Sequence, residues 1–346
     1  MTHIVATMLF RPVAVRAGVI AGLFAGAIYG AQAGTSGIDE LFPSDADLFL
    51  RVGGDPFGDG SAIDAPELYG DAYRYGRILF PLAAWGLALG RVAWVQWTLL
   101  ALSAVGLAVA VACAVELLAG RGVPYERMVW LLATPALWMG LRGAFSEWFA
   151  LGLLLLGFVL EIDGRRRTAA VVFVLVLLTR EVLLLALLPV LGRDVRTRGA
   201  KGLQRWLLIG VVPFVWHLWV WARVGELPAL DGSLSRREAV DLPVAGLVDA
   251  FNELGADGAL MIIAALGLGT VVAALYIGLK EPWHPIAYAG VLVALSILFF
   301  GPNVWRFPGE GLRTMMHAQV LVAIALIAHL EVRRKRARVY ERSSDA

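Results

Sequence analysis

"VFVLVLLTREVLLLALLPVL", residues 172–191, sets Thr179, Arg180 and Glu181 in the middle of an otherwise apolar run. A guanidinium and a carboxylate at the centre of a hydrocarbon slab are costly, by several kcal/mol each. Two readings are open: one buried span with an internal ion pair, or two short helices joined by a polar turn. The charges flanking the stretch choose between them. Lysine and arginine mark the cytoplasmic side of a membrane. "DGRRR" (163–167) stands before the stretch and "GRDVRTRGAKGLQR" (192–205) follows it directly. With both flanks on one side, the chain must cross twice, as 168–178 and 182–192, turning at Thr179–Glu181. Each arm then makes about 16 Å of helix, roughly half a hydrocarbon core. The turn is expected well below the outer surface, where polar non-helical backbone is tolerated only against a protein cavity or a water-filled cleft. "TRE" is therefore expected at the floor of an outward-facing cavity.

The whole chain reads as membrane protein. Of its 346 residues 59% are hydrophobic, and the mean hydropathy is +0.72. Several runs exceed the roughly 18 apolar residues that cross a bilayer. Soluble domains are excluded, and residues 1–346 form one integral membrane domain. The formal charge of +2 says little, because the placement of charge carries the information. Arg11 and Arg16 put the N-terminus inside, and "RRKRARVYER" (333–342), within a basic tail at 333–346, puts the C-terminus there too. The first apolar stretch, 13–34, ends in "AQAG", which could be a signal cleavage site; its length and the spans that follow favour an uncleaved anchor. The single cysteine, Cys113, excludes an intramolecular disulfide and a cysteine metal site. His3, His217, His284, His317 and His329 have no metal-ligand spacing. There is no Walker A loop, dinucleotide-binding pattern or nucleic-acid-binding signature.

These signals predict an all-α, polytopic bundle of about ten spans: 13–34, 92–118, 128–141, 146–162, 168–178, 182–192, 205–222, 258–279, 286–301 and 314–332. Both termini are cytoplasmic. Two external segments are long, 35–91 and 223–257. The first ends in a short apolar piece, 78–90, expected as a juxtamembrane helix along the outer leaflet. A second polar break, Arg142–Glu147, lies between the third and fourth spans. Two Arg/Glu pairs, Arg142/Glu147 and Arg180/Glu181, are thus aimed at the external side. Either they serve a site, or the Arg180–Glu181 pair is mutually neutralising and only stabilises its turn.

The loop at 35–77 carries nine carboxylates against three arginines. Most read as a solvated acidic surface. Asp45 and Asp47, in "DAD", could hold a divalent ion, although a bare D-x-D is nonspecific; no other cofactor is expected. Tyr73, Arg74, Tyr75 and Arg77 precede the apolar piece, where they could meet a lipid phosphate or anchor an aromatic belt. Arg306 and Arg313, in "NVWRFPGEGLR" (303–313), read as ordinary loop arginines or as additions to a phosphate site.

The order of features resembles the GT-C glycosyltransferase superfamily, polytopic bacterial enzymes that use a polyprenyl-phosphate sugar on the outer face of the membrane. It is more closely similar to a group of bacterial membrane proteins associated with cell-surface glycopolymer formation. That group carries "YDGQFYYR", then "AYRYQRILYPLLAWLLALG", then "LTRE". This chain has "SDADLFLR" (44–51), "AYRYGRILFPLAAWGLALG" (72–90) and "LTRE" (178–181). The resemblance covers roughly the first 200 residues and implies an acidic motif in the first external loop, just after the first span, with the site buried beneath short juxtamembrane helices. It implies transfer of a sugar from a polyprenyl-phosphate donor to a cell-envelope glycan acceptor, at a bacterial plasma membrane. Such transfer needs a base for the acceptor hydroxyl and positive charge for the departing phosphate. Asp45 is the candidate base and Asp47 its alternative. Arg74, Arg77 and Arg180 are candidates for the phosphate, with Arg51, Tyr73, Tyr75 and Arg142 around it, and Glu147 or Glu181 to orient an arginine or a sugar hydroxyl. Ser44, Ala46 and Asp47 stand where the group has Tyr, Gly and Gln. That opens an alternative, a catalytically inactive component of a glycopolymer assembly complex. A lipid or sugar transporter is the other alternative.

Overall fold

A computed structural model describes residues 10–42, 45–58, 71–230, 240–255, 257–281 and 284–344. In chain order its helices are α1 (Pro12–Ser36), α2 (Asp45–Gly54), α3 (Asp71–Gly76), α4 (Leu79–Leu87), α5 (Val92–Gly120), α6 (Tyr125–Met128), α7 (Pro135–Met139), α8 (Ser146–Ile162), α9 (Arg166–Thr179), α10 (Leu184–Arg198), α11 (Ala200–Val224), α12 (Ala245–Leu254), α13 (Gly258–Lys280), α14 (Pro285–Leu295), α15 (Pro302–Arg306) and α16 (Pro308–Ser344). Five are long and apolar enough to cross a bilayer: α1, α5, α11, α13 and the Gly311–Ala337 part of α16. The chain is an all-α, polytopic membrane bundle.

The other expected spans are shorter helices. α8, α9, α10 and α14 have 17, 14, 15 and 11 residues. The stretch 128–141, expected as one span, is not one helix. It is broken into the end of α6, a 3-10 turn at Val129–Ala133, α7, and a second 3-10 turn at Gly140–Arg142. Pro135 is the cause: the residue before a proline is pushed out of the helical region, and Thr134 is extended at φ −76°, ψ 108°. The piece at 78–90 does form a short helix, α4. It folds back on the start of α5, where the Thr98 hydroxyl donates to Ala84 O at 2.9 Å.

The chain runs between two ends. At one, the Arg11 amide donates to Glu116 at 2.9 Å, Arg127 bonds Glu331, and Lys335 donates to Gly122 O at 2.8 Å. Arg193 and Arg205 reach Glu161 there, each at 2.7 Å. Arg121, Ile162, Glu281 and His329 share one cleft at the same end. The basic N-terminal flank, the 163–167 turn, the 192–205 segment and the start of the basic tail are therefore together, at what we call the basic end. At the far end Tyr29 donates to Gly143 O at 3.4 Å, and Ala144 N to Leu41 O at 3.0 Å.

The "TRE" stretch is two helices with a break, not one span. α9 stops at Thr179, Arg180 is extended (φ −152°, ψ 107°), and a 3-10 turn at Glu181–Leu183 leads into α10. Arg166 at the start of α9 and Arg193 in α10 lie 3.6 and 2.7 Å from the same Glu161 carboxylate. The chain thus returns to the end it left, and the break marks the far end of the excursion.

α8 is held by a close approach to α5. A side-chain carbon on Gly106 would lie 2.5 Å from Phe149 N, and one on Gly152 would lie 2.6 Å from Gly106 O. Small residues let two apolar helices touch backbone to backbone where lipid offers no hydrophobic drive. The buried Ser103 hydroxyl donates to Phe145 O at 2.8 Å and fixes the entry to α8. Outward, Val19, Ile20 and Leu23 of α1 and Leu207, Leu208 and Phe214 of α11 are exposed, as a lipid-facing surface requires.

Candidate lipid-phosphate site at the far end

Glu147 stands in the first turn of α8, after the extended Phe145, and is fully buried. A carboxylate is favoured in that turn by the helix dipole, but burial this deep requires positive partners. Arg180 supplies one, donating a hydrogen bond to Glu147 Oε1. Arg313 supplies another: its Nε is 3.4 Å from the same oxygen, and its guanidinium lies 4.3 Å over the Phe145 ring. Both arginines are about as buried as core leucines, at 5% and 4% exposure.

Glu181 turns the other way. The extended backbone at Arg180 sends the two neighbouring side chains to different hydrogen-bond partners. Glu181 instead receives a two-pronged bond from Arg77, Nε to Oε2 at 3.0 Å and Nη2 to Oε1 at 2.8 Å. Arg77 follows α3 in a tight turn, its amide donating to Arg74 O at 3.1 Å. The face of Tyr73 lies 4.1 Å from the Arg77 guanidinium and 5.2 Å from that of Arg74. Such stacking holds the planar groups in place.

The site thus gathers Tyr73, Arg74, Arg77, Glu147, Arg180 and Glu181 from the expected residues, but with different pairings. The expected pairs Arg142/Glu147 and Arg180/Glu181 are replaced by Arg180–Glu147 and Arg77–Glu181. Arg142 is exposed. Tyr75 is a structural anchor: fully buried, it donates its hydroxyl to Asp55 O at 2.9 Å, and Trp216 Nε1 donates to its carbonyl at 2.8 Å. Asp47 and Arg51 pair with each other on the surface of α2 at 2.9 Å, both about 40% exposed, as i,i+4 neighbours do. Asp45 opens α2, and its side chain lies outside the described atoms, as does any ion the two carboxylates would share. Arg306 bonds Glu253 and reaches Asn303 at 3.3 Å on the far-end rim.

Two further members join these, of which the sequence left Arg313 open between a loop arginine and an addition to a phosphate site and did not single out His317 as a site residue. Arg313 is buried on α16. His317, one turn further along α16, is 2% exposed and contacts the Glu147 backbone. The i,i+4 spacing of Arg313 and His317 inside an apolar helix was the available signal, since it sets both on one face.

Several polar atoms here are buried without a hydrogen-bond partner among the described residues: Ser146 Oγ, Trp148 Nε1, Arg180 Nε and His317 Nε2. Nearly all buried polar groups in proteins are satisfied, so four neighbouring exceptions call for a ligand or ordered water. The combination of guanidiniums, a stacked tyrosine and an imidazole can hold a phosphate or a sugar hydroxyl. No family model, curated protein or solved structure matches this chain.

Proposed function

We propose that the chain is a GT-C-like membrane glycosyltransferase that binds a polyprenyl-phosphate sugar at the far-end cluster and passes the sugar to a cell-envelope glycan. In this reading the basic end faces the cytoplasm of a bacterium, and the far end opens outward. The chain makes ten passes, the shorter helices and the broken 125–142 segment supplying those that the five long helices do not. The alternation of contacts between the two ends along the chain supports that count. The observation that carries the reading is the convergence of Arg77, Arg180 and Arg313 from three remote segments on the buried Glu147 and the part-exposed Glu181, beside polar atoms that lack partners among the described residues. Arginine forks suit a leaving phosphate, and buried ionisable groups within a membrane bundle are functional by default.

Asp47 favours a second reading. Its pairing with Arg51 on the surface of α2 gives it no described contact with the arginines. A chain that holds the lipid phosphate but lacks a positioned base would be a non-transferring component of a glycopolymer assembly. The concentration of polar groups at one end, rather than at mid-depth, speaks against a transporter. The test is transfer from a radiolabelled polyprenyl-phosphate sugar by the purified chain, with and without EDTA. Transfer that survives EDTA supports arginine-borne leaving-group stabilisation. Binding without transfer supports the second reading, and loss with EDTA restored by Mn²⁺ turns the case towards an Asp45/Asp47 metal site.

A further inference from the structure

A cleft at the basic end, away from the arginine cluster, has a chemistry of its own. It lies where the ends of α5, α8 and α13 meet the start of α14 and one face of α16. Its polar lining is Arg121, Glu281, His284 and His329, and its walls are apolar, among them Ile162 and Ile324. The enclosed part measures about 30 Å³, room for one group the size of a water or an ammonium.

His329 gives this space its character. Its Nδ1 lies 2.8 Å from Glu281 Oε1, and the residue is 7% exposed. A carboxylate only accepts, so Nδ1 carries the proton and Nε2 of the neutral ring is left as an acceptor. That Nε2 is buried and has no partner among the described residues. An orphan acceptor beside a carboxylate calls for a group with several N–H or O–H donors and a positive charge. At the open rim stands Arg121, exposed, where it can face an anion. Negative inside, positive at the mouth and apolar along the walls is the complement of an ammonium joined to a phosphate on a hydrocarbon chain.

We propose that this cleft binds the head group of an aminophospholipid, its primary ammonium donating to His329 Nε2, which the Glu281 carboxylate on Nδ1 holds as the acceptor, and its phosphate facing Arg121. Free phosphoethanolamine shares that head-group chemistry, but the apolar walls assign the site to the lipid. The inference does not depend on the far-end cluster or on any transfer activity.

The test uses the purified full chain, delipidated, and native mass spectrometry with phosphatidylethanolamine, phosphatidylcholine and phosphatidylglycerol of matched acyl chains. Phosphatidylethanolamine is expected to bind about tenfold or more tightly than phosphatidylcholine, whose trimethylated nitrogen has no N–H to donate. Glu281→Gln should abolish that preference. Arg121→Gln, at an exposed position, should weaken both lipids by the same factor and leave the preference intact. Free O-phosphoethanolamine should compete poorly; competition equal to that of the lipid would support the head-group chemistry and overturn its assignment to a bilayer source. Equal binding of the two zwitterionic lipids, or a preference that survives Glu281→Gln, would overturn the proposal and leave the cleft with a water only.

Discussion

α8 carries a buried glutamate at each end, Glu147 in its first turn and Glu161 in its last, fourteen residues and about 21 Å of helix apart. Glu161 is met by Arg193 and Arg205 at 2.7 Å and Arg166 at 3.6 Å, with Asp194 taking the other prong of Arg205 at 2.9 Å. Glu147 is met by Arg180 and Arg313. The chemistry is alike, but the setting is not. Around Glu161 every partner stands within two turns of a helix end that flanks one of two joints, and the arginine side chains keep 31%, 35% and 14% of their surface exposed. That network closes the α8–α9 and α10–α11 joints at little desolvation cost. Around Glu147 one partner, Arg180, is no more distant in sequence, but Arg313 comes from α16, and both arginines are sealed from water. Nothing in the local threading asks for them there. A buried pair is weak grounds for stability, so the two glutamates differ in what their partners do: the basic-end network joins helices, and the far-end cluster is where the proposed function is to be tested.

The comparison breaks first on sidedness. With Cys113 replaced, a cysteine at the exposed Arg142 should react with an impermeant thiol reagent applied from outside, and one at the exposed Lys201 only after the membrane is opened. The outcome is all or none. Labelling of Lys201→Cys from outside would invert the two ends and remove the phosphate reading from the outer face.

The next effect is large and separates the two roles within one residue. Arg180→Ala leaves the buried Glu147 with Arg313 as its one described ion-pair partner and should cost about 3 kcal/mol of stability. Arg180→Lys keeps the charge but not the fork, so it should fold and yet lose transfer by about 100-fold. Thermal unfolding in detergent beside transfer per folded molecule reads both. If Arg180→Lys transfers normally, the cluster is only a clamp.

Glu161→Gln should cost less, about 2 kcal/mol, because its arginines are part-exposed and can turn to water. Transfer per folded molecule should not change. A fall in specific activity would couple the two ends and end the distinction drawn here.

Legibility in the sequence follows the range of each interaction. The two polar breaks were visible because Arg142–Glu147 and Thr179–Glu181 interrupt apolar runs, and a break is a local event. The shared end of the basic segments was visible for the same reason. The partners were not, because Glu147 and Arg180 are 33 residues apart and Arg77 and Glu181 are 104 apart. Adjacent charges suggested adjacent pairs, and the extended backbone at Arg180 sent them to different partners. The 128–141 stretch was expected as one helix and is broken at Pro135, which hydropathy does not register. Arg313 stayed open between two readings, and His317 was passed over, because a polar residue near the mouth of a helix looks solvated until the packing of its neighbours is known.

The smallest effect lies inside the far-end cluster and divides it. Arg77 and Glu181 make the better geometry, yet the Glu181 side chain is 38% exposed, against 8% for Arg77. A pair with one member in reach of water contributes about 0–1 kcal/mol. Glu181→Gln should therefore shift thermal stability within that range, far less than the loss expected for Arg180→Ala. The amide oxygen can still accept from one prong of Arg77, and Tyr73 still backs its guanidinium, so the arginine stays near its place with looser aim. Transfer should fall only severalfold, whereas Arg77→Lys, which removes the fork itself, should fall further at similar stability. The measurement is KM and kcat for the polyprenyl-phosphate sugar with both variants. A rise in KM alone for Glu181→Gln fits a carboxylate that aims Arg77 at the bound phosphate. Loss of stability as large as that of Arg180→Ala would instead show that the exposed carboxylate is bracing the break between α9 and α10, and the two pairs of the cluster would then share one structural role.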